Sequence, residues 1–158
     1  MPAPPFVATG FTPPPPPTTG DFVLLPLTLE HNEADLEAWS SSVEHIHATP
    51  GFEGRPWPDE PMTLARNAAD LQMHMDDFAT GRGFTYTVLG VPDGDVIGCV
   101  YIYPSEREGA DARLRSWVRA SRAPLDGPLA RTVRAWLEAE WPFTTYDDAR
   151  DGVSADDP

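Results

Sequence analysis

Apolar residues recur along this chain with two different periods, and the change of period divides it. Residues 22–28 (FVLLPLT) form a short apolar run that predicts a first strand, with Pro26 assigning it an edge or terminal place. Leu36, Trp39, Val43 and Ile46 then fall at helical spacing behind Asn32, a residue able to cap a helix whose first turn carries Glu33 and Asp35. Leu64, Ala68, Leu71, Met75 and Phe78 mark a second helical stripe, opened by Thr63 as cap and closed by Gly81. Between the two helices, residues 48–62 hold four prolines and two glycines and predict a long loop.

After Gly81 the period becomes two. Residues 84–89 (FTYTVL) and 96–103 (VIGCVYIY) flank the turn residues Pro92-Asp93-Gly94 and predict a hairpin. The second of these strands is apolar on both faces, so it belongs at the centre of a covered sheet. In residues 112–118 (ARLRSWV), Leu114, Ser116 and Val118 alternate with Arg113, Arg115 and Trp117, which predicts a third meander strand. A third helix begins near Asp126-Gly127-Pro128 and turns Leu129, Val133, Trp136 and Leu137 inward. Residues 141–146 (WPFTTY) supply a last strand. The predicted order is β-α-α-β-β-β-α-β, an α/β mixed sheet flanked by helices.

Composition bounds the folded part. Residues 1–20 carry no charge and eight of the 19 prolines, so they read as a disordered Pro-rich arm. Its run Pro13–Pro17 is a spacer or a ligand for aromatic-lined grooves. Residues 147–158 contain five aspartates against one arginine and read as an acidic disordered tail. The domain is therefore assigned to residues 21–146. The net charge of −14, with eleven arginines and no lysine, disfavours nucleic acid and anionic membrane as partners. Nothing approaches the roughly 18 apolar residues of a membrane span, and the N-terminus lacks a basic leader, so the expected location is the cytoplasm. Cys99, the single cysteine, lies in an apolar run and reads as a buried small hydrophobe.

Several stretches together carry a resemblance: the opening strand with LTLEHNEADLEAW, the hairpin FTYTVLGVPDGDVIGCVYIYP, and the strand RLRSWV leading into a loop and helix. Over residues 21–146 this order resembles the first two thirds of the GNAT acetyltransferase superfamily, and it lacks the C-terminal helix and strands usual there. The resemblance implies acetyl transfer from acetyl-CoA to the amine of a small molecule or peptide. Trp117, Val118 and Arg119 would present backbone groups to the pantetheine, and Arg122 and Gly127 would hold the phosphates. The family's loop of pattern Gln/Arg-x-x-Gly-x-Gly/Ala uses glycines to bring N–H groups to the pyrophosphate. Here Leu125 stands for the first glycine, Pro124 and Pro128 each remove a donor, and Asp126 is expected as a carboxylate N-cap. These departures support an alternative reading, a non-catalytic binding or assembly module on the same scaffold. The unpaired edge of a shortened sheet also implies a homodimer.

The resemblance places the acceptor site on the segment carrying His45, His47, Glu53, Arg55, Trp57, Asp59 and Glu60. A carboxylate or histidine there would act as general base, and no catalytic residue is singled out. Each of them also reads as a solvated loop or helix-end residue. His45 and His47 lie two apart, which is not a metal-ligand spacing on a helix, so no metal is expected. His31 and His74 stand isolated. Arg113, Arg115, Arg119 and Arg122 form the one concentrated positive feature, serving CoA phosphates or pairing with Glu106, Glu108 and Asp111.

Overall fold

The computed structural model describes residues 5–58 and 62–151. Strand β1 (Phe22–Pro26) leads through a 3-10 turn at Leu29–His31 into α1 (Asn32–Ser40), α2 (Val43–His47) and α3 (Leu64–Thr80). Strands β2 (Phe84–Gly90), β3 (Val96–Pro104) and β4 (Ala112–Val118) follow, then a 3-10 turn at Ala120–Leu125, α4 (Asp126–Glu140) and β5 (Tyr146–Asp148). The sheet order is the chain order, antiparallel throughout except for the parallel pair β4–β5.

Alternation on the strands feeds two cores. Leu24, Tyr86, Val88, Val100, Leu114 and Val118 pack against Leu129, Val133, Trp136 and Leu137 of α4. Cys99 and Trp117 face the other way, against Trp39 of α1, Ile46 of α2 and Leu71 of α3. β3 is thus covered on both sides, as its continuous apolarity predicted. Thr63 caps α3 by accepting from the Arg66 amide at 3.1 Å, and Gly81 ends it at φ +73°.

Ile97 is an extra residue in β3, because Val88 pairs with Gly98 and Leu89 with Val96. Beside this bulge a Cβ on Gly98 would lie 2.3 Å from the Trp117 carbonyl oxygen, a backbone atom that cannot turn away. Gly98→Ala is therefore expected to cost about 1–3 kcal/mol, read as a lower denaturant midpoint at unchanged m-value.

Five expectations differ from what is found. The first predicted helix is two, broken at Ser41-Ser42, where Ser41 Oγ donates to the Ala38 carbonyl and Ser42 Oγ accepts from the Ala120 amide at 2.8 Å. Asn32 is not a cap. It is the first residue of α1, and its side chain ties α1 to α3 by donating to the Leu64 carbonyl and accepting from Asn67 Nδ2 at 2.8 Å. Leu64 is exposed, and the polar Asn67 takes an inward place on α3. The last strand lies at residues 146–148 because Trp141 and Phe143 turn their rings into the core and Pro142 separates them. Asp147 and Asp148, assigned to a disordered tail, form part of that strand.

The fifth difference is the arm. Phe6 stacks on Phe143 at 4.8 Å, and Phe11 meets the Phe84 and Trp141 rings at 5.9 and 5.4 Å. Three apolar anchors, Phe6, Val7 and Phe11, hold this proline-rich segment against the α4-side core. At the opposite edge, β5 has three residues and is lined by the ion pairs of Arg107 with Asp147 and Arg134 with Asp148.

Candidate active site

β4 and β5 run side by side only from Ala112–Tyr146 to Leu114–Asp148, and then part. The wedge so formed is closed by Arg150. Its Nη2 donates to the Ser116 carbonyl at 3.1 Å, and both terminal nitrogens clasp the Asp126 carboxylate. The gap among Leu114, Ser116, Val133, Asp148 and Arg150 has no room for a water. Asp126 is thus no N-cap: it is the first residue of α4, with Leu125 before it making no side-chain cap.

Of the residues expected around a cofactor, Arg119 and Arg122 come together and Gly127 lies apart from them. Trp117 is fully buried on the α1/α3 side, its indole donating to Tyr101 Oη at 3.0 Å, and Val118 is fully buried under α4. The Arg119 amide is spent on the Ile97 carbonyl, and its guanidinium donates to Glu37 at 2.6 Å. Arg122 faces Asp93 at 3.6 Å. Arg119 and Arg122 do line one cleft of about 510 Å3, together with Glu37 and Asp95. Gly127, in the first turn of α4, lies against Arg131 outside that cleft. Arg113 and Arg115 lie elsewhere, so the positive cluster divides into two.

A cavity of about 470 Å3 opens between α3, the loop at residues 51–57 and the ends of β3 and β4. Strand register builds its floor, because Tyr103 pairs with Arg113 and Tyr101 with Arg115, all on one face. Arg115 walls both the cavity and the wedge, and it is held by the Asp147 carbonyl at 2.7 Å and carboxylate at 3.3 Å. Gly51, at φ +98°, permits this: a Cβ there would fall 2.4 Å from Arg115 Cδ. Arg113 is half-buried and has no hydrogen-bond or ion-pair partner among the described residues. Burial first, then the Arg115 and Arg55 charges, draw its guanidinium below the usual range.

On the helical wall, Tyr103 Oη donates to Asp77 Oδ2 at 2.8 Å and lies 2.8 Å from His74 Nδ1. A phenol has one proton, so towards His74 it accepts, and Nδ1 carries the imidazole hydrogen. Nε2 keeps its lone pair and makes no hydrogen bond among the described residues. Burial holds the imidazole below its ordinary midpoint, partly offset by Asp77 and Asp70, so it is neutral at pH 7. An unprotonated nitrogen backed by a phenol and a carboxylate is suited to accept a proton. His74 is therefore not isolated. The one sequence sign was Asp77 three residues beyond it on the same helix; Tyr103 and the adjoining Thr85 arrive only by sheet packing.

Asp35 lies behind the cavity, 6% exposed, with Asn67 Nδ2 donating to it at 3.1 Å. Burial pushes its carboxyl up to about 6 against that hydrogen bond. Of the expected acceptor residues, Arg55 and Trp57 line the cavity. His47 Nε2 instead meets the Pro58 carbonyl at 2.7 Å, and Glu53 is exposed. Asp59 and Glu60 lie outside the described residues.

No protein-family model matches the chain, and no curated protein matches it in sequence. Solved structures do. A Microcin C7 self-immunity acetyltransferase, in complex with acetyl-CoA and AMP, superposes with a TM-score of 0.62 at 13% identity. The match covers 78% of this chain and 64% of that one. An acetyltransferase of Salmonella typhimurium that modifies the N-terminal serine of ribosomal protein L7/L12 gives 0.58 at 12% identity, covering 77% and 64%. The chain has the GNAT fold.

A third GNAT structure, the ribosomal-protein-S5-alanine acetyltransferase of Vibrio fischeri, gives 0.55 at 12% identity, covering 74% of this chain and 63% of that one. The chain spans slightly less than two thirds of the length of these three GNAT proteins. Among the described residues, no helix is long and apolar enough to cross a membrane.

Proposed function

We propose that this chain is an acetyl-CoA-dependent N-acetyltransferase whose acceptor amine enters the 470 Å3 cavity. The observation that carries this reading is the Asp77–Tyr103–His74 chain of hydrogen bonds, which leaves His74 Nε2 as a base on the cavity wall. Amines arrive as ammonium ions, which have no lone pair. His74 accepts one ammonium proton, and the freed nitrogen becomes the nucleophile. Acetyl-CoA, when bound, would supply the electrophilic thioester carbonyl: as the C–N bond forms the C–S bond breaks, and the released thiolate takes the second proton shed by the nitrogen. Tyr103 and Asp77 are positioning residues: they fix the imidazole tautomer and stabilise the imidazolium that forms.

The fit to acetyl-CoA is conditional on one side chain. β4 beyond Leu114 is unpaired by β5, and the Ser116 carbonyl on that edge is taken by Arg150 alone among the described residues. A ligand lying along β4 must displace this guanidinium.

The same contact favours the second reading, a GNAT-fold binding module without acetyl transfer. Arg150 locks the wedge, Asp126 puts a carboxylate at the start of α4, and Arg119 and Arg122 already have acidic partners. Thermal melting with acetyl-CoA separates the two. A ligand at 100 times its Kd stabilises the native state by about 2.7 kcal/mol, so a transferase melts higher with the cofactor. Arg150→Ala unblocks the wedge and is expected to bind it more tightly than the parent chain. Unchanged melting of both proteins at millimolar acetyl-CoA would reject the transferase and leave the binding module.

A further inference from the structure

Arg113, Tyr103 and His74 follow one another across the cavity floor. Arg113 is the direct cross-strand partner of Tyr103, and Tyr103 Oη touches the imidazole. Resting on the transferase reading, we infer that the acceptor is a zwitterionic amine. Its carboxylate is received by Arg113, with Arg55 beside it, and its ammonium faces Asp70 and Asp77 next to His74.

Charge balance carries the argument. Arg115 is paired with Asp147, which leaves Arg113 and Arg55 as the cations of the cavity without a partner among the described residues. Opposite them α3 presents Asp70 and Asp77, so that, apart from the buried Asp35, which accepts from Asn67, the lining offers two unpartnered guanidinium groups and two carboxylates at separate walls. A plain amine would leave the guanidinium wall unanswered, and a dianionic phosphate would overload it while facing two carboxylates. An amino acid satisfies both ends. Phe52, Trp57 and Tyr101 line the space between and suit an apolar or aromatic side chain.

Arg113 also bears a signature of binding use. Burial first, and then the Arg115 and Arg55 charges, disfavour the Arg113 cation in the free protein, with Glu106 and Asp147 acting the other way, and an incoming anion relieves the balance. Removing Arg113 is therefore expected to leave the melting temperature of the ligand-free chain unchanged or raised.

The test is calorimetric titration of the full chain, without acetyl-CoA, with three acid–amine pairs and one phosphate. The pairs are L-phenylalanine with phenethylamine, L-tryptophan with tryptamine, and L-leucine with isopentylamine; the phosphate is O-phosphoethanolamine. At least one amino acid is expected to bind about tenfold tighter than its decarboxylated partner, the worth of a charge-assisted hydrogen bond. Arg113→Gln removes that preference without weakening the amine, and Arg113→Lys retains part of it. Equal affinity within all three pairs overturns the inference, as does tightest binding of O-phosphoethanolamine. A melting temperature of Arg113→Gln well below the parent chain also overturns it, because the guanidinium would then be structural. No cofactor is present in these titrations, so their failure is distinct from a failure to bind acetyl-CoA.

Discussion

His74→Gln is expected to lower kcat for acetyl transfer by about 10²- to 10⁴-fold, the usual contribution of a positioned general base. Glutamine keeps a polar group towards Tyr103 and removes the basic nitrogen, so the melting temperature is expected to stay near that of the parent chain. The pH profile gives a second readout. Because burial holds His74 below its ordinary midpoint of 6.5, it is an unprotonated base across the neutral range. The acidic limb of kcat/KM should fall below pH 6.5 and vanish in His74→Gln. Tyr103→Phe keeps the imidazole but frees its tautomer; it is expected to lower kcat by about tenfold while the acidic limb persists. A profile unchanged by His74→Gln would remove the base from the mechanism.

Asp35→Asn is expected to stabilise the protein by about 3 kcal/mol at pH 8 and by almost nothing at pH 4. The carboxyl titrates near 6 in the folded chain against 3.8 when unfolded, and each unit of difference is worth about 1.36 kcal/mol. Between these values the native state holds more protons than the unfolded one. Stability from this group is therefore complete below pH 3.8 and is lost as pH rises through about 6. Asparagine is neutral throughout and still offers an oxygen to Asn67 Nδ2. For a chain of this size the gain corresponds to a melting temperature higher by roughly 5–10 °C at pH 8. A variant that melts below the parent at pH 8 would show that the ionised carboxylate is better compensated than its burial implies.

The two groups act in opposite directions. His74, neutral when folded and more readily protonated when unfolded, supports the native state above pH 6.5 and withdraws that support as pH falls. Wild-type melting between pH 4 and 6.5 sums a loss from one and a gain from the other. The two substitutions separate them.

Much of the fold was legible because period and punctuation report local physics. The bounds of β4 were read directly from the alternation in ARLRSWV, and Thr63 and Gly81 marked the ends of α3 by capping chemistry. The break at Ser41-Ser42 was not, because the Ser42 hydroxyl has its partner 78 residues away at Ala120. The arm at residues 5–20 misled for a related reason. Proline content describes what a segment cannot hydrogen-bond, whereas Phe6 and Phe11 are held by aromatic rings that the folded core supplies. Arg150 was counted as tail charge until the turn after β5 brought it to Asp126 and Ser116.

The candidate site divides along the same line. Sequence by itself determined the strand and helix pattern of a GNAT-like sheet, its acidic lysine-free character, and the departure at Leu125, Pro124 and Pro128 from an anion-binding loop. Those are properties of composition and of neighbours a few residues apart. Tertiary structure alone decided that Arg113 and Arg115 share one cavity while Arg119 and Arg122 share another. It also joined His74 to Tyr103 across 29 residues, and it set a guanidinium in the wedge beside β4. Proton affinity and charge balance depend on burial and on groups within a few ångströms, and only the packing of α3 and β5 onto the sheet brings those groups together.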